Sequence, residues 1–83
     1  MDVTKRFAKN LIEQREKRGL SPEDLARQAS IPLPHLESME GAGEQPEMET
    51  LIKLAGSLEI PVATLVAGLA WDPVAGFTVA DSP

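Results

Sequence analysis

The stretch SPEDLARQASIPLPHLESMEG occupies residues 21–41 and determines the predicted fold. Ser21 is a good N-cap residue, and a proline followed by two acidic residues is typical of a first helical turn, so a helix is predicted over residues 22–29. Ser30 is another N-cap residue and predicts the start of a second helix near residues 32–40. Its two prolines are tolerated because N–H groups in a first turn have no partner within the helix. The stretch therefore predicts two short helices in close succession.

Three further helices are predicted around this pair. Before it, apolar residues repeat every three or four positions and Gly19 follows as a stop, which predicts a helix over residues 3–18. After it, similar apolar stripes predict helices over residues 47–58 and 61–69. Five short helices joined by short loops predict a compact all-α domain. The inward-facing positions, which are expected to form one core, are Phe7, Leu11, Leu25, Ala26, Leu36, Met39, Leu51, Leu54, Leu58, Leu65 and Leu69.

The chain changes character at Trp71. Residues 1–70 are predicted to form the helical domain and residues 71–83 a tail, in which residues 77–79 have the composition of a strand. A single strand needs a partner, so the tail is disordered, folds back on the helices or pairs with a second copy of the chain. Two interpretations stay open for its apolar side chains: Trp71 covers the small core, or the tail forms a dimer interface. The candidate interface residues are Trp71, Val74, Phe77 and Val79.

Composition restricts the classes of function. The 83 residues suffice for one domain, and a chain without cysteine can form neither a disulfide nor a thiolate metal site. Only one histidine is present and the acidic residues lack metal-ligand spacing, so no metal, no cofactor and no enzyme activity are expected. No apolar run is long enough to span a bilayer, and the charged N-terminus is unlike a secretory signal. A cytoplasmic location is expected.

A series of motifs between residues 6 and 69 resembles one known family. The motifs are Arg-Gly-Leu at 18–20, Ser-Pro-Glu-Asp-Leu-Ala at 21–26, Ile-Pro-Leu-Pro-His-Leu-Glu-Ser-Met-Glu-Gly at 31–41, Pro-Glu-Met-Glu-Thr-Leu-Ile-Lys-Leu-Ala at 46–55 and Leu-Glu-Ile-Pro at 58–61. Together they resemble the XRE (Cro/CI phage-repressor-like) helix-turn-helix family. The resemblance implies a five-helix lambda-repressor-like fold in a transcriptional regulator that binds operator DNA as a homodimer, with the third helix in the major groove.

The resemblance also implies an ion pair and a DNA-facing surface. The pair joins Arg15 to Glu40 and is largely buried; the alternative is two exposed charges that do not meet. The residues expected to face double-stranded DNA include, around the second and third helices, Ser21, Arg27, Leu33, His35, Glu37 and Ser38. Helix 1 adds Lys5, Arg6, Lys9 and Arg18 to this set, for which the alternative is the solvated face of an amphipathic helix.

The charge distribution keeps a second function open. Residues 1–20 carry +3 and residues 21–83 carry −8, within a net charge of −5. Neutralisation of phosphates supplies most of the free energy of DNA binding, yet residues 21–50 hold one basic residue against seven acidic ones. The alternative is therefore a helix-turn-helix domain repurposed for protein–protein binding, such as an antitoxin-like or anti-activator module.

Overall fold

A computed structural model describes residues 2–79, which form five helices followed by a β-hairpin. The five predicted helices are confirmed, and except for the last one their bounds differ from the prediction by at most one residue. The elements are α1 (Val3–Lys17), α2 (Pro22–Ala29), α3 (Leu33–Glu40), α4 (Met48–Leu58), α5 (Val62–Leu65), β1 (Leu69–Asp72) and β2 (Gly76–Val79). Within residues 2–79, no helix has the length and apolar character needed to cross a membrane.

One apolar core lies between the helices. Every residue predicted to be in the core is buried except Leu69, which packs against the edge of the core and stays half-buried. The nine largest side chains without solvent exposure are Phe7, Leu11, Leu25, Leu36, Met39, Leu51, Leu54, Leu58 and Leu65. Each helix supplies at least one of them, because its apolar residues recur at the helical period.

Three helices end with a residue in the left-handed conformation, followed by a buried or half-buried apolar residue. After α2, Ser30 has φ 57° and ψ 44°, and the Ile31 N–H donates to the Ala26 carbonyl at 3.0 Å. Gly19 after α1 and Glu59 after α4 are left-handed in the same way. These are Schellman endings, which satisfy carbonyls left without partners in the last helical turn. Ser30 therefore ends α2, and the prediction that it opens the third helix is wrong.

The fifth helix is shorter than predicted, because α1 fixes a turn directly after it. The Asn10 side-chain amide donates to the carbonyls of Leu65 and Ala67, at 2.9 Å each. Gly68 then takes φ +83°, and the Arg6 guanidinium occupies the space that a Cβ at this position would need. The chain thus leaves the helix at Leu65, and the prediction that the helix continues to residue 69 is wrong.

The predicted strand finds its partner within the same chain. Strand β2 pairs antiparallel with β1 in the register Leu69↔Val79, Ala70↔Thr78 and Trp71↔Phe77. The Trp71 and Phe77 rings meet edge to face with centroids 5.1 Å apart, an arrangement favoured for aromatic pairs. Strand β2 packs against α1, which supports a hairpin that would be marginal alone. The strand therefore does not require a second copy of the chain for its pairing.

Candidate nucleic-acid interface

The second and third helices are fixed by the core on their inner sides. In α3, Leu36 and Met39 are completely buried, and Ile31 is buried in the turn before it. Helix α3 packs against α1 and α2, so its opposite side faces solvent. That outer side carries Pro34 and Glu37, which are exposed. Helix α3 follows α2 after a short turn, with its inner side buried and its outer side open. This is the geometry of the recognition helix in a helix-turn-helix.

The start of α2 is held by a reciprocal cap. The Asp24 N–H donates to Ser21 Oγ at 3.1 Å, so the Ser21 side chain is used within its own helix. In return, hydrogen bonds from the Ser21 hydroxyl, then from the Arg27 guanidinium, lower the pKa of the Asp24 carboxyl below its ordinary value. This pattern is a capping box with aspartate at the third helical position. It fixes the orientation of α2 relative to the turn.

The loop between α3 and α4 folds back on the last turn of α3. The Gly43 N–H donates to the Ser38 carbonyl at 2.8 Å, and a Cβ at Gly43 would lie only 2.9 Å from Ser38 Oγ. Across the same loop, His35 Nε2 lies 3.3 Å from Glu44 Oε2. His35 and Ser38 are half-buried as a result. Loop and helix thus form one continuous surface with an acidic side chain at its rim.

The last turn of α3 is also joined to α1. Arg15 Nε lies 2.8 Å from Glu40 Oε2 and Arg15 Nη2 lies 3.2 Å from Glu40 Oε1, a two-pronged pair. Arg15 Nη1 donates in addition to the Leu20 carbonyl at 2.8 Å. Both side chains are little exposed, at 13% and 12%. Helix α3 is therefore held by the core through Leu36 and Met39, and at its C-terminal end by this ion pair.

The structure gives the proposed DNA-facing residues unequal access to solvent. Leu33 packs against the core with part of its side chain, and Arg6 lies against Gly68 at the base of the hairpin. Arg27 makes a 2.7 Å ion pair with Asp24, and Arg18 makes one of 2.8 Å with Glu59. Lys5 and Lys9 are exposed on α1.

The exposed Lys5 lies away from the point where α1 meets the end of α3. Arg15 marks the point where α1 meets the end of α3, and Lys5 lies about 15 Å before it along the helix axis, at a rise of about 1.5 Å per residue. That end of α1 adjoins α5 and the hairpin, as the Asn10 hydrogen bonds show. No lysine or arginine occurs between residues 28 and 52, so the outer side of α3 has no cation of its own.

An open groove of about 500 Å³ lies on another side of the domain, and sequence reasoning did not find it. It is formed where α2 and α4 meet the end of α1. The lining residues are Arg18, Gln28, Ala29, Lys53, Gly56, Ser57 and Glu59. No local motif links these positions, because they converge only through packing of the three helices.

Comparison with known proteins places this geometry in a class and then in a family. The class is the helix-turn-helix domain, defined by α2, the turn at Ser30 and α3. Residues 11–65 match the family model HTH_3, helix-turn-helix. The chain belongs to this XRE-type helix-turn-helix family.

Relatives within this fold carry the names of regulators. The chain is 36% identical over 64 residues to the HTH-type transcriptional regulator DdrOP3 of Deinococcus deserti, covering 77% of this chain and 50% of that protein. It is similar to the restriction-modification controller protein C.AhdI of Aeromonas hydrophila, with 27% identity, a TM-score of 0.72 and coverage of 75% and 94% of the two chains. A hypothetical transcription factor from Neisseria, NHTF, gives 25% identity, a TM-score of 0.74 and coverage of 78% and 75%. The chain spans half the length of the curated relative.

Proposed function

We propose that the chain is a DNA-binding transcriptional regulator of the XRE helix-turn-helix type, which acts as a homodimer on operator DNA. The observation that carries the proposal is the placement of α3, whose inner side is buried through Leu36 and Met39 while its outer side is open. A helix presented in this way fits the major groove. The names of the relatives support the same function.

In this proposal three side chains on α3 recognise the DNA sequence. His35 and Ser38 offer hydrogen-bonding groups to base edges, and the Glu37 carboxylate is an acceptor for a cytosine amino group. The His35 imidazole reaches a base only if it leaves Glu44, which lies 3.3 Å away. Such a surface selects bases more through what it rejects than through strong contacts, because an acid placed against a base acceptor is repelled.

Phosphate binding in this proposal comes from helix 1 and from the second helix. Lys5 and Lys9 are exposed and can approach the backbone beside the groove. Arg27 and Arg18 would exchange their exposed partners Asp24 and Glu59 for phosphates, at small cost because exposed ion pairs contribute little. A single domain then makes few phosphate contacts. A homodimer doubles them and matches a two-fold operator, as in other helix-turn-helix proteins.

The proposal is tested by selecting bound fragments from a random duplex library and measuring their affinity over a salt series. We expect enrichment of a motif with two-fold symmetry and affinity that falls with salt, because counterions are released when phosphates are neutralised. Ser38→Ala should relax the preference at one position of each half-site while leaving the salt dependence unchanged. Absence of any binding at low salt, where electrostatic attraction is strongest, would contradict the proposal.

One observation favours a second function, binding of a basic protein partner through α3. The outer side of α3 and the loop after it carry Glu37, Glu44 and Glu47 and no cation. Charge complementarity favours a cationic protein surface over a polyanion at this place. A domain that binds no duplex at low salt but retains the regulator fold would support this second function, with Glu37→Lys as the variant that disrupts it.

A further inference from the structure

The hairpin leaves one strand edge open to solvent. In the part of the chain that the structure describes, the sheet has two strands paired with each other, and the Leu69 N–H in β1 also donates to the Val66 carbonyl at 2.9 Å. Strand β2 packs against α1 and its four residues are half-buried. In β1, by contrast, Ala70 is exposed and Trp71 is 63% exposed. The edge of β1 is therefore the more exposed of the two outer edges of the hairpin.

Apart from its length of four residues, this edge has few of the features by which proteins prevent edge-to-edge pairing. Edge strands are usually protected by short length, by charged side chains, by proline or by bulges. Residues 66–79 contain one charged residue, Asp72, and no proline lies within β1 itself. Backbone N–H and C=O groups on the outer side of β1 can thus form hydrogen bonds with another strand.

The charge of the edge indicates which strand fits it. A two-fold axis brings a surface against its own copy, so a patch with charge of one sign repels itself. The outer side of α3 and the loop after it form such a patch, with acidic residues and no lysine or arginine. The hairpin is the segment where this repulsion is weakest. A nearly uncharged edge offers little to a partner recognised by charge. It can, however, lie against the same edge of a second copy of the chain without electrostatic repulsion.

We propose that β1 pairs antiparallel with β1 of a second copy, which gives a four-stranded sheet in the order β2-β1-β1-β2 across a two-fold axis. The inference rests on the homodimer of the proposed function and names its interface. Trp71 and Phe77 are directly paired in the hairpin and so share one face of it. A two-fold axis normal to the sheet keeps both copies of Trp71 on that face. The exposed indole is then covered by the partner's apolar side chains, which adds buried area to the backbone hydrogen bonds.

Two properties of the chain make the interface measurable without DNA. Trp71 is the single tryptophan, so its fluorescence reports on this edge alone. Ile52 is an exposed apolar residue on a different element, α4, with a relative exposure of 58%, and it provides a matched control. Ala70→Lys introduces on β1 the charge that protects natural edge strands from pairing. Because Ala70 is exposed, this substitution does not disturb the core.

The experiment is sedimentation equilibrium of the full chain over micromolar to millimolar concentrations, combined with tryptophan emission on dilution. We expect a concentration-dependent dimer, a red shift of Trp71 emission on dilution, and a loss of dimer affinity of at least tenfold in Ala70→Lys. Ile52→Lys should dimerise like the unchanged protein, and circular dichroism should show both variants folded. If Ala70→Lys is unfolded, Trp71→Ser replaces it with the same expected loss.

Three outcomes would overturn the inference: a monomer at all concentrations, a dimer unaffected by Ala70→Lys, or a dimer lost in Ile52→Lys and kept in Ala70→Lys. None of these measurements contains DNA. Failure of the interface is therefore distinguishable from failure of DNA binding, which the library selection tests separately.

Discussion

Arg15 and Glu40 connect the first helix to the end of the recognition helix through a two-pronged ion pair, 2.8 Å and 3.2 Å long. The Leu20 carbonyl accepts a third hydrogen bond from the same guanidinium, so the arginine also holds the chain just after α1. Both side chains lose most of their contact with water, which costs solvation free energy that the pair offsets. The pair therefore fixes geometry more than it raises stability.

Removal of one partner should cost far more than removal of both. Glu40→Leu leaves the Arg15 charge largely buried without its carboxylate, and we expect a loss of about 3 kcal/mol in the free energy of unfolding. Arg15→Met should cost a similar amount for the same reason. The double variant should recover most of the loss, as replacements of buried ion pairs by apolar residues often do. Denaturant unfolding of the three variants measures this coupling, and strictly additive losses would contradict it.

The core prediction concerns Leu36, which is completely buried in α3. Leu36→Ala removes apolar contacts and leaves a cavity, so we expect a loss of about 2–5 kcal/mol. A domain of this size has little stability in reserve, and the variant should be partly unfolded near 37 °C. Ile52→Ala, on the exposed side of α4, is the control and should change stability by no more than about 0.5 kcal/mol. Thermal denaturation followed by circular dichroism compares the two.

The left-handed conformation of Ser30 gives a prediction about backbone strain. A β-branched residue tolerates positive φ poorly, so Ser30→Val should lower stability by about 1–2 kcal/mol. Ser30→Gly should cost nothing or add slightly to stability, because glycine adopts this conformation freely but loses more entropy on folding. The difference between the two variants in chemical denaturation is the measurement. Equal stabilities would show that the turn can rearrange.

The same residue shows where sequence reasoning succeeded and failed for the fold. Helix interiors were predictable, because the period of their apolar residues is set by burial of one side. The left-handed helix ending was predictable at Gly19, where the residue type itself favours positive φ. At Ser30 it was not, although the last residue of α2 was predicted correctly, because packing of Ile31 imposes the conformation. The partner of β2 was not predictable, since β1 reads as the last turns of a helix until Asn10 stops α5 at Leu65.

The candidate site shows the same division. The resemblance to a known family was enough to expect Arg15 near Glu40 and an open outer side of α3. It could not indicate that Arg18 meets Glu59, because these residues follow two different helices and come together only in the folded chain. Nor could it show that the loop folds onto Ser38, since that depends on a missing Cβ at Gly43.

Acid should weaken the start of the second helix through Asp24. The pKa of the Asp24 carboxyl is lowered in the folded state, chiefly by the hydrogen bond from the Ser21 hydroxyl. Its stabilising contribution is therefore present above the unfolded-state pKa, ordinarily 3.8, and is lost as the pH falls through the lower folded-state pKa. Asp24→Asn cannot ionise, so its stability should fall less steeply with acid below about pH 5. Unfolding free energies over this pH range test the difference.

A second carboxyl, that of Asp2, also contributes to the loss of stability at low pH, and its effect has to be distinguished from that of Asp24. The pKa of Asp2 is lowered too, mainly by the hydrogen bond that its carboxylate accepts from the Lys5 N–H at 2.9 Å as the N-cap of α1. Asp2→Asn should remove its own part of the pH dependence of the unfolding free energy. The double variant should show a weaker pH dependence than either single variant. Glu13→Gln removes an exposed charge without a cap and serves as the control. An unchanged slope in Asp24→Asn would contradict the capping role.

The last prediction concerns the acidic outer side of α3. If this side faces a duplex, Glu37→Lys replaces a repulsion by a phosphate contact and should raise affinity for non-specific DNA at low salt. The slope of log affinity against log salt should become steeper by about 0.9 for each added phosphate contact. Glu49→Lys makes the same change of charge at an exposed position on α4, to which no DNA contact is assigned. Helix α4 packs against α2 and α5. Fluorescence anisotropy with a labelled random duplex should therefore show a large gain for Glu37→Lys and a small one for Glu49→Lys. Equal gains would mean that only the net charge matters, and α3 would then not be the surface that meets DNA.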